Sequence, residues 1–313
     1  MRSASEVLGR NALVSPPFRA RCNLDIRRRR CFMVLVFGAT GTTGREVARG
    51  LMQAGLKPRL LVRDPSKAHG FEGKAEVVQG DLAAPASLAA AMAGVEKVYL
   101  VSAAASDPEL EANAIDAAKS AGVRHVVKLS VIGAEAPFTT LAKAHAQAEA
   151  RLRDAGLAWT MLRPGNFMTN ALTWADTIKS QGAFYQPSGE GRWAAIDPLD
   201  IGAVAVKALT EPGHEGHAYA LSGPESLNAA QYAAKLSAAI GKPVKFIDIP
   251  PDSMREGLLK SGLPAVLVDA LVELMAATKA GKLDVVTDGV AKVTGRNATT
   301  FDDWARRNAA AFG

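Results

Sequence analysis

At 313 residues and 48% apolar content, the chain can hold one large domain with a smaller lobe and bury a sizeable core. No uninterrupted apolar stretch approaches the roughly 18 residues that a membrane-spanning helix needs. The formal net charge of +6 does not describe a nucleic-acid surface, because all of it lies in residues 1–32, where eight arginines stand against only Glu6 and Asp25.

Residues 1–32 are rich in Arg, Pro and Ser, lack periodicity, and end just before the first strand pattern at Met33. They read as a disordered basic extension outside the fold. Two origins stay open: a translated leader ahead of a true start at Met33, or an organelle transit segment, against which Glu6 and Asp25 count. No apolar core follows the charges, so a secretory signal is not expected. Cys22 and Cys31, the only cysteines, also lie there. The neutral body therefore offers no disulfide framework, thiol nucleophile or cysteine metal site, and it suits a reducing cytoplasm.

The body opens with Val34, Leu35, Val36 and Phe37, then Gly38, Gly41 and Gly44, then a helical pattern from Arg45. This spacing predicts a strand, a tight turn and a helix. Gly38 permits the sharp exit from the strand. At Gly41 a missing side chain lets backbone approach a diphosphate, and at Gly44 it lets the helix lie close to the sheet. The helix N-terminus offers unpaired N–H groups to the phosphates. An ordinary strand-to-helix turn would use similar residues, but the flanking periodicity favours dinucleotide binding.

Residues 58–62 form the second predicted strand, followed by Arg63, Asp64 and Lys67. An enzyme that uses NAD commonly carries a carboxylate here for the ribose 2′-hydroxyl. Arg63 comes first instead, with Lys67 one turn later; a guanidinium suits the 2′-phosphate of NADP, so NADP(H) is preferred and NAD(H) is the alternative. Asp64 is expected to pair with Arg63 or cap a helix.

Val77 and Val78 read as a third strand ending at Gly80, Asp81 and Leu82. Asp81 can accept from an adenine amino group or cap the helix that starts near Pro85. Residues 98–101 make the fourth strand, left by Ser102 and Ala103, whose small side chains let a flat ring or ribose lie against backbone. A helix over 108–120, a fifth strand over 124–130, a helix capped by Thr139 or Thr140 and running to 155, and a sixth strand over 158–162 follow. On the 140–155 helix, Leu141, His145, Ala148 and Leu152 share one stripe, so His145 faces inward. Strands alternating with helices predict an α/β fold, a Rossmann-type doubly wound parallel sheet. Gly38, Arg63, Asp81, Ser102, Ser130 and Arg163 all fall at carboxyl ends of strands, where such sheets bind ligands.

The motifs Gly-Ala-Thr-Gly-Thr-Thr-Gly (38–44), Val-Arg-Asp-Pro (62–65), Gly-Asp-Leu (80–82), Leu-Ser (129–130), His145 with Glu149, and Trp-Thr-Met-Leu-Arg-Pro-Gly-Asn-Phe (159–167) with Asn170 resemble the NmrA-like branch of atypical short-chain dehydrogenase/reductases. The likeness runs from residue 33 to about 211, and is strongest to bacterial NAD(P)H:quinone oxidoreductases, with azoreductases and triphenylmethane-dye reductases nearby. It implies a nucleotide site at Gly38, Thr40, Gly41, Thr42, Thr43, Gly44, Arg63, Lys67, Asp81, Leu82, Ser102, Ala103, Ser130, His145, Pro164, Asn166 and Phe167. It implies an acceptor site at Phe167, Met168, Asn170 and Trp174. The Tyr-x-x-x-Lys pair of typical members is replaced by Leu141 and His145, so the usual proton donor is missing. Hydride transfer to a quinone or another conjugated acceptor makes a smaller demand on acid catalysis. His145 is the candidate catalytic residue, supplying a proton or bonding the ribose; its other reading is a packed core histidine. The alternative function is an NADP-binding redox sensor without turnover.

The expected division is a nucleotide domain over 33–170 and a smaller mixed α/β lobe over 171–313, interleaved with the first. Phe167, Met168, Trp174, Phe184, Tyr185 and Trp193 suit either an apolar lid or ordinary core. Asp197 and Asp200 are expected as caps of a helix from about 201. Over 264–280, Leu267, Leu271, Leu274 and Met275 make an apolar face, for substrate cover or for a homodimer contact. His214 and His217 lack a ligating carboxylate pattern, and no metal is expected. The expected partner is a small-molecule substrate, without nucleic acid or a membrane span.

Overall fold

The computed structural model describes residues 32–102 and 108–313. Expectations for residues 1–31 and for Ala103 lie outside the described residues. Among those described, no helix is long and apolar enough to cross a membrane.

The chain enters at β1 (Met33–Phe37), turns through the glycines into α1 (Thr42–Gln53), and alternates through β2 (Arg59–Val62), β3 (Glu76–Gln79), α2 (Pro85–Met92), β4 (Val95–Leu100), α3 (Pro108–Ser120), β5 (His125–Leu129), α4 (Thr140–Asp154) and β6 (Ala158–Pro164). After a short 3-10 helix come α5 (Ala175–Gln181), β7 (Ala183–Gln186), β8 (Arg192–Trp193), α6 (Pro198–Thr210) and β9 (His217–Leu221). The rest is β10 (Leu227–Asn228), α7 (Ala229–Ile240), β11 (Lys245–Asp248), α8 (Pro251–Lys260), α9 (Ala265–Lys279), α10 (Gly289–Thr294) and α11 (Phe301–Asn308).

The main sheet runs β3-β2-β1-β4-β5-β6-β9, and every pair in it is parallel. It is the predicted doubly wound sheet with one strand more than the six expected. β9 pairs along β6 from Thr160 to Pro164, so the chain returns to the main sheet after the segment that carries β7 and β8. α6 returns with it: Ile201, Val204, Ala205 and Ala208 bury against Val47, Ala48 and Leu51 of α1.

Strand side chains alternate between two cores, as a pleated strand covered on both faces requires. Val34, Val36, Tyr99, Val127 and Leu162 face α1 and α6. Leu35, Phe37, Val98, Val126 and Met161 face the α2, α3 and α4 layer. A third core belongs to the smaller lobe, which is the mixed α/β unit expected. There Trp174 stacks on Phe184 at 4.0 Å and Trp193 on Tyr232 at 4.6 Å, and Phe301 meets Tyr232 edge-on at 4.6 Å. β7 pairs parallel with β11, and β8 antiparallel with β10.

Several local readings shift. Asp64 caps the 3-10 turn at Pro65–Lys67 by accepting from Ser66 N at 3.0 Å. Asp81 binds Ala83 N at 2.9 Å, one residue short of the α2 cap at Ala84. Thr139, not Thr140, caps α4. α6 starts at Pro198 with Asp197 as its cap, which leaves Asp200 inside the first turn, fully buried, paired with Arg296 at 2.6 Å and accepting from Thr299 N at 2.7 Å.

Candidate active site

Parallel sheets bind ligands outside the carboxyl ends of their strands, at the point where the strand order reverses. Here the reversal falls between β1 and β4, and the glycine turn leaves β1 at that point. Gly38 has φ +62, and a Cβ on it would sit 2.8 Å from the Val101 side chain. A Cβ on Gly44 would lie 2.2 Å from the Gly38 carbonyl oxygen, so α1 can approach β1 only with glycine there. Gly38, Gly41 and Thr42 are exposed, whereas Thr43 and Gly44 are buried beneath them. The open N-terminus of α1 is a cradle that fits a diphosphate.

Thr43 is held from below. The Tyr99 hydroxyl, wholly buried on β4, donates to Thr43 Oγ1 at 2.9 Å. Burial pushes the Tyr99 phenol well above its usual range, so it stays protonated and keeps donating. The sequence carried a signal for this pair: a tyrosine inside a buried strand needs a partner for its hydroxyl.

Arg63 and Lys67 stand exposed beyond β2, and neither side chain has a hydrogen-bond or ion-pair partner among the described residues. Two cations outside any hydrogen bond or ion pair fit a 2′-phosphate; Asp64, the expected partner of Arg63, is engaged by Ser66 instead, although Lys67 still acts on its charge. Asp81 and Leu82 are half-buried past β3, and Ser102 is buried past β4. Past β5, Ser130 donates to Glu149 Oε1 at 2.6 Å, leaving its oxygen able to accept. Glu149 also takes Arg163 Nε at 2.9 Å, Arg163 Nη2 at 2.7 Å and Arg153 Nη2 at 2.7 Å. Burial pushes this carboxyl up, but the bonds from Arg163, Ser130 and Arg153 outweigh it and hold the group at about 2.

His145 lies one turn before Glu149 and is 7% exposed. Its Nδ1 is 3.2 Å from the ammonium of Lys128, a fully buried lysine on β5 that pairs with Glu111 of α3 at 2.8 Å. Burial first, and then the Lys128 charge, bring the imidazole down to about 3 against the opposing pull of Glu149. His145 is therefore neutral at physiological pH. Lys128 and Glu111 were missed by reading the sequence, although a lysine inside His-Val-Val-Lys-Leu marks a buried charge that must have a partner.

Pro164, Asn166 and Phe167 follow β6, and Phe167 bridges to Ile196. Asn166, Phe167, Met168, Asn170 and Trp174 line a cavity of about 540 Å³, closed on the far side by Met254 and Leu258 of α8 and by Leu271, Leu274 and Met275 of α9. No charged side chain lines it. The predicted face of α9 thus divides: Leu271, Leu274 and Met275 cover the cavity, while Leu267 stays exposed. The core reading of the aromatic cluster holds for Phe184 and Trp193, and Trp193 also forms part of the cavity wall. A second cleft, of about 650 Å³, begins at Thr40, Gly41 and Thr42 and shares Asn170 and Thr173 with the apolar cavity.

A glycine turn at the switch point, free cations one strand away and an adjoining apolar cavity define a Rossmann-type oxidoreductase that binds a nicotinamide nucleotide. The NAD(P)H-binding family matches residues 38–212. The NAD(P)H azoreductase of Xenophilus azovorans is 43% identical over 285 residues, covering 90% of this chain and 99% of its own. A (4-alkanoyl-5-oxo-2,5-dihydrofuran-3-yl)methyl phosphate reductase of Streptomyces griseus is 40% identical over 282 residues, with the same two coverages of 90% and 99%. Among solved structures, the NADPH complex of an Escherichia coli NADPH-dependent quinone oxidoreductase aligns with a TM-score of 0.80 at 30% identity, over 88% of this chain and 99% of its own. The chain belongs to the NAD(P)H-binding family and is an NAD(P)H-dependent reductase.

Proposed function

We propose that the protein uses NADPH to reduce an uncharged, planar, conjugated acceptor of the quinone type. The observation that carries this reading is the cavity of about 540 Å³ with no charged residue in its lining, which meets the cleft of the glycine turn at Asn170 and Thr173. Such a wall leaves a phosphate or sulfonate without a counter-charge, and it favours a neutral ring.

When bound, the nicotinamide supplies the hydride. The α1 N-terminus with Thr40 and Gly41 would hold the diphosphate, and Arg63 and Lys67 the 2′-phosphate. Asp81 and Leu82 are assigned to the adenine, and Ser102, Ser130 and His145 to the ribose and nicotinamide end. Pro164, Asn166 and Phe167 would support the nicotinamide; Phe167, Met168, Asn170 and Trp174 would orient the acceptor and exclude water.

Proton supply separates quinones from ketones. Leu141 occupies the place of the usual tyrosine. Of the two tyrosines that line the cavity, Tyr232 donates to Trp193 O at 2.9 Å and Tyr185 donates to Gln181 at 2.6 Å. A simple alkoxide needs a strong local acid, whereas a hydroquinone anion is stabilised by its own conjugation. The cysteine-free body fits a cytoplasmic enzyme.

The test is consumption of NADPH with matched uncharged and sulfonated naphthoquinones, azo dyes and simple ketones, read by loss of nicotinamide absorbance. Uncharged quinones are expected to turn over fastest and ketones not at all. Nucleotide binding with no acceptor reduced would favour the sensor; ketones outpacing quinones would overturn the acceptor class.

A further inference from the structure

Lys128, Glu111 and His145 come from β5, α3 and α4 and meet in a buried cluster at the carboxyl end of the sheet. The Lys128 Nζ is within hydrogen-bond distance of three acceptors: Glu111 Oε2 at 2.8 Å, Leu129 O at 2.9 Å and His145 Nδ1 at 3.2 Å. An ammonium has three donors and no acceptor, so all three contacts are donated by lysine. The carboxylate and the carbonyl can do nothing else toward it, and His145 Nδ1 must therefore present its lone pair. In a neutral imidazole the proton then sits on Nε2. That nitrogen has no partner among the described residues and is not among the polar atoms sealed away from solvent.

We propose that Lys128, clamped by Glu111, is a positioning residue that locks His145 as the neutral Nε2–H tautomer, making His145 a fixed hydrogen-bond donor to the bound reactants and not a proton-delivering acid. This rests on the assignment of His145 to the nicotinamide end. The charged groups facing His145 among the described residues are Lys128 from β5, with Glu111 of α3 behind it, and Glu149 on its own helix.

Protonating Nδ1 would require the imidazole to turn a donor toward an ammonium, which like charge and burial both oppose. Releasing the Nε2 proton would leave an imidazolate. The proton that completes a two-electron reduction accordingly comes from water, while the hydride comes from the nicotinamide and Nε2–H is kept.

The test is 15N NMR of histidine-labelled full-length protein without nucleotide, with the His145 signals assigned by their loss in His145→Gln. The expected wild-type result is a single Nε2–H tautomer that does not titrate between about pH 8 and about pH 5. Lys128→Met together with Glu111→Gln removes both charges, which spares the fold an unpaired buried ion. In that variant His145 is expected to populate both tautomers and to protonate nearer its ordinary value of 6.5. Its turnover should acquire a pH dependence that the wild type lacks. A wild-type Nδ1–H tautomer, wild-type titration near 6.5, or an unchanged tautomer and pKa in the folded double variant would overturn the proposal. Should the double variant fail to fold, the wild-type spectrum still decides. Failure of the acceptor assay leaves this readout unaffected.

Discussion

The hydroxyl of Tyr99 donates to Thr43 Oγ1 at 2.9 Å, tying the middle of the sheet to the second residue of α1, the helix whose N-terminus is proposed to hold the diphosphate. The pair joins residues 56 positions apart, and both side chains are buried. Tyr99→Phe should lower stability by about 1 kcal/mol, the usual contribution of a buried hydrogen bond. It should also weaken NADPH binding by about threefold to tenfold, because the turn loses its anchor. Denaturant melts and calorimetric titration of the single and double variants with Thr43→Val check this; additive losses would show that the pair is not coupled.

Gly41 and Gly44 should fail in different ways. A Cβ at Gly41 would sit 3.2 Å from Gly38 O, a tight fit that small movements relieve, while at Gly44 the distance is 2.2 Å to backbone that cannot move aside. Gly41→Asp is expected to fold and to lose NADPH affinity by more than about 100-fold, since it sets a carboxylate against the diphosphate. Gly44→Ala is expected to lose several kcal/mol, about the scale of severe overpacking. Melting temperature and nucleotide affinity, measured side by side, separate the two.

Arg63 is unpaired and exposed at the end of β2, so its removal should cost the fold nothing. Arg63→Gln is expected to raise the NADPH dissociation constant by about 10-fold to 100-fold, the scale of one lost charge-assisted hydrogen bond. NADH should be affected by less than about threefold. Equal losses for the two nucleotides would remove the 2′-phosphate assignment.

The uncharged cavity predicts a switch of acceptor preference. Leu271→Lys places an ammonium in the α9 wall, where its length lets the charge reach the mouth. The ratio of kcat/KM for a sulfonated naphthoquinone to that of its uncharged parent should rise by about tenfold. An unchanged ratio would place the acceptor elsewhere.

Acid should unfold the protein through named groups. Burial and the Lys128 charge hold His145 at about 3, burial and Lys97 hold His125 at about 4, and both stand below the 6.5 of an unfolded histidine. The unfolded chain therefore binds more protons than the native one in this window, and stability falls as pH drops from 6.5 toward 3. Glu149, held at about 2 against an ordinary 4.5, adds a loss of the same sign below 4.5. Denaturant midpoints measured through this range should fall steadily with acid, and His145→Gln should flatten the upper part of the curve. A midpoint that rises with acid would contradict the sign.

What the sequence determined by itself was local or periodic. The strand, glycine turn and helix of residues 33–53 are written in consecutive residues, and the order of strands and helices places Arg63, Asp81, Ser130 and Arg163 along one rim without any knowledge of contacts. The stripe holding His145 likewise told that it faces inward. Periodicity reports which face a side chain takes, and says nothing of what stands opposite. Only the tertiary structure could set Lys128 against His145 and Glu111, hang Thr43 from Tyr99, add β9 as a seventh strand, and roof the cavity with α8 and α9. These are pairings between distant elements whose partners are chosen by packing and by the need to neutralise a buried charge, and no short stretch of sequence carries both halves of such a choice.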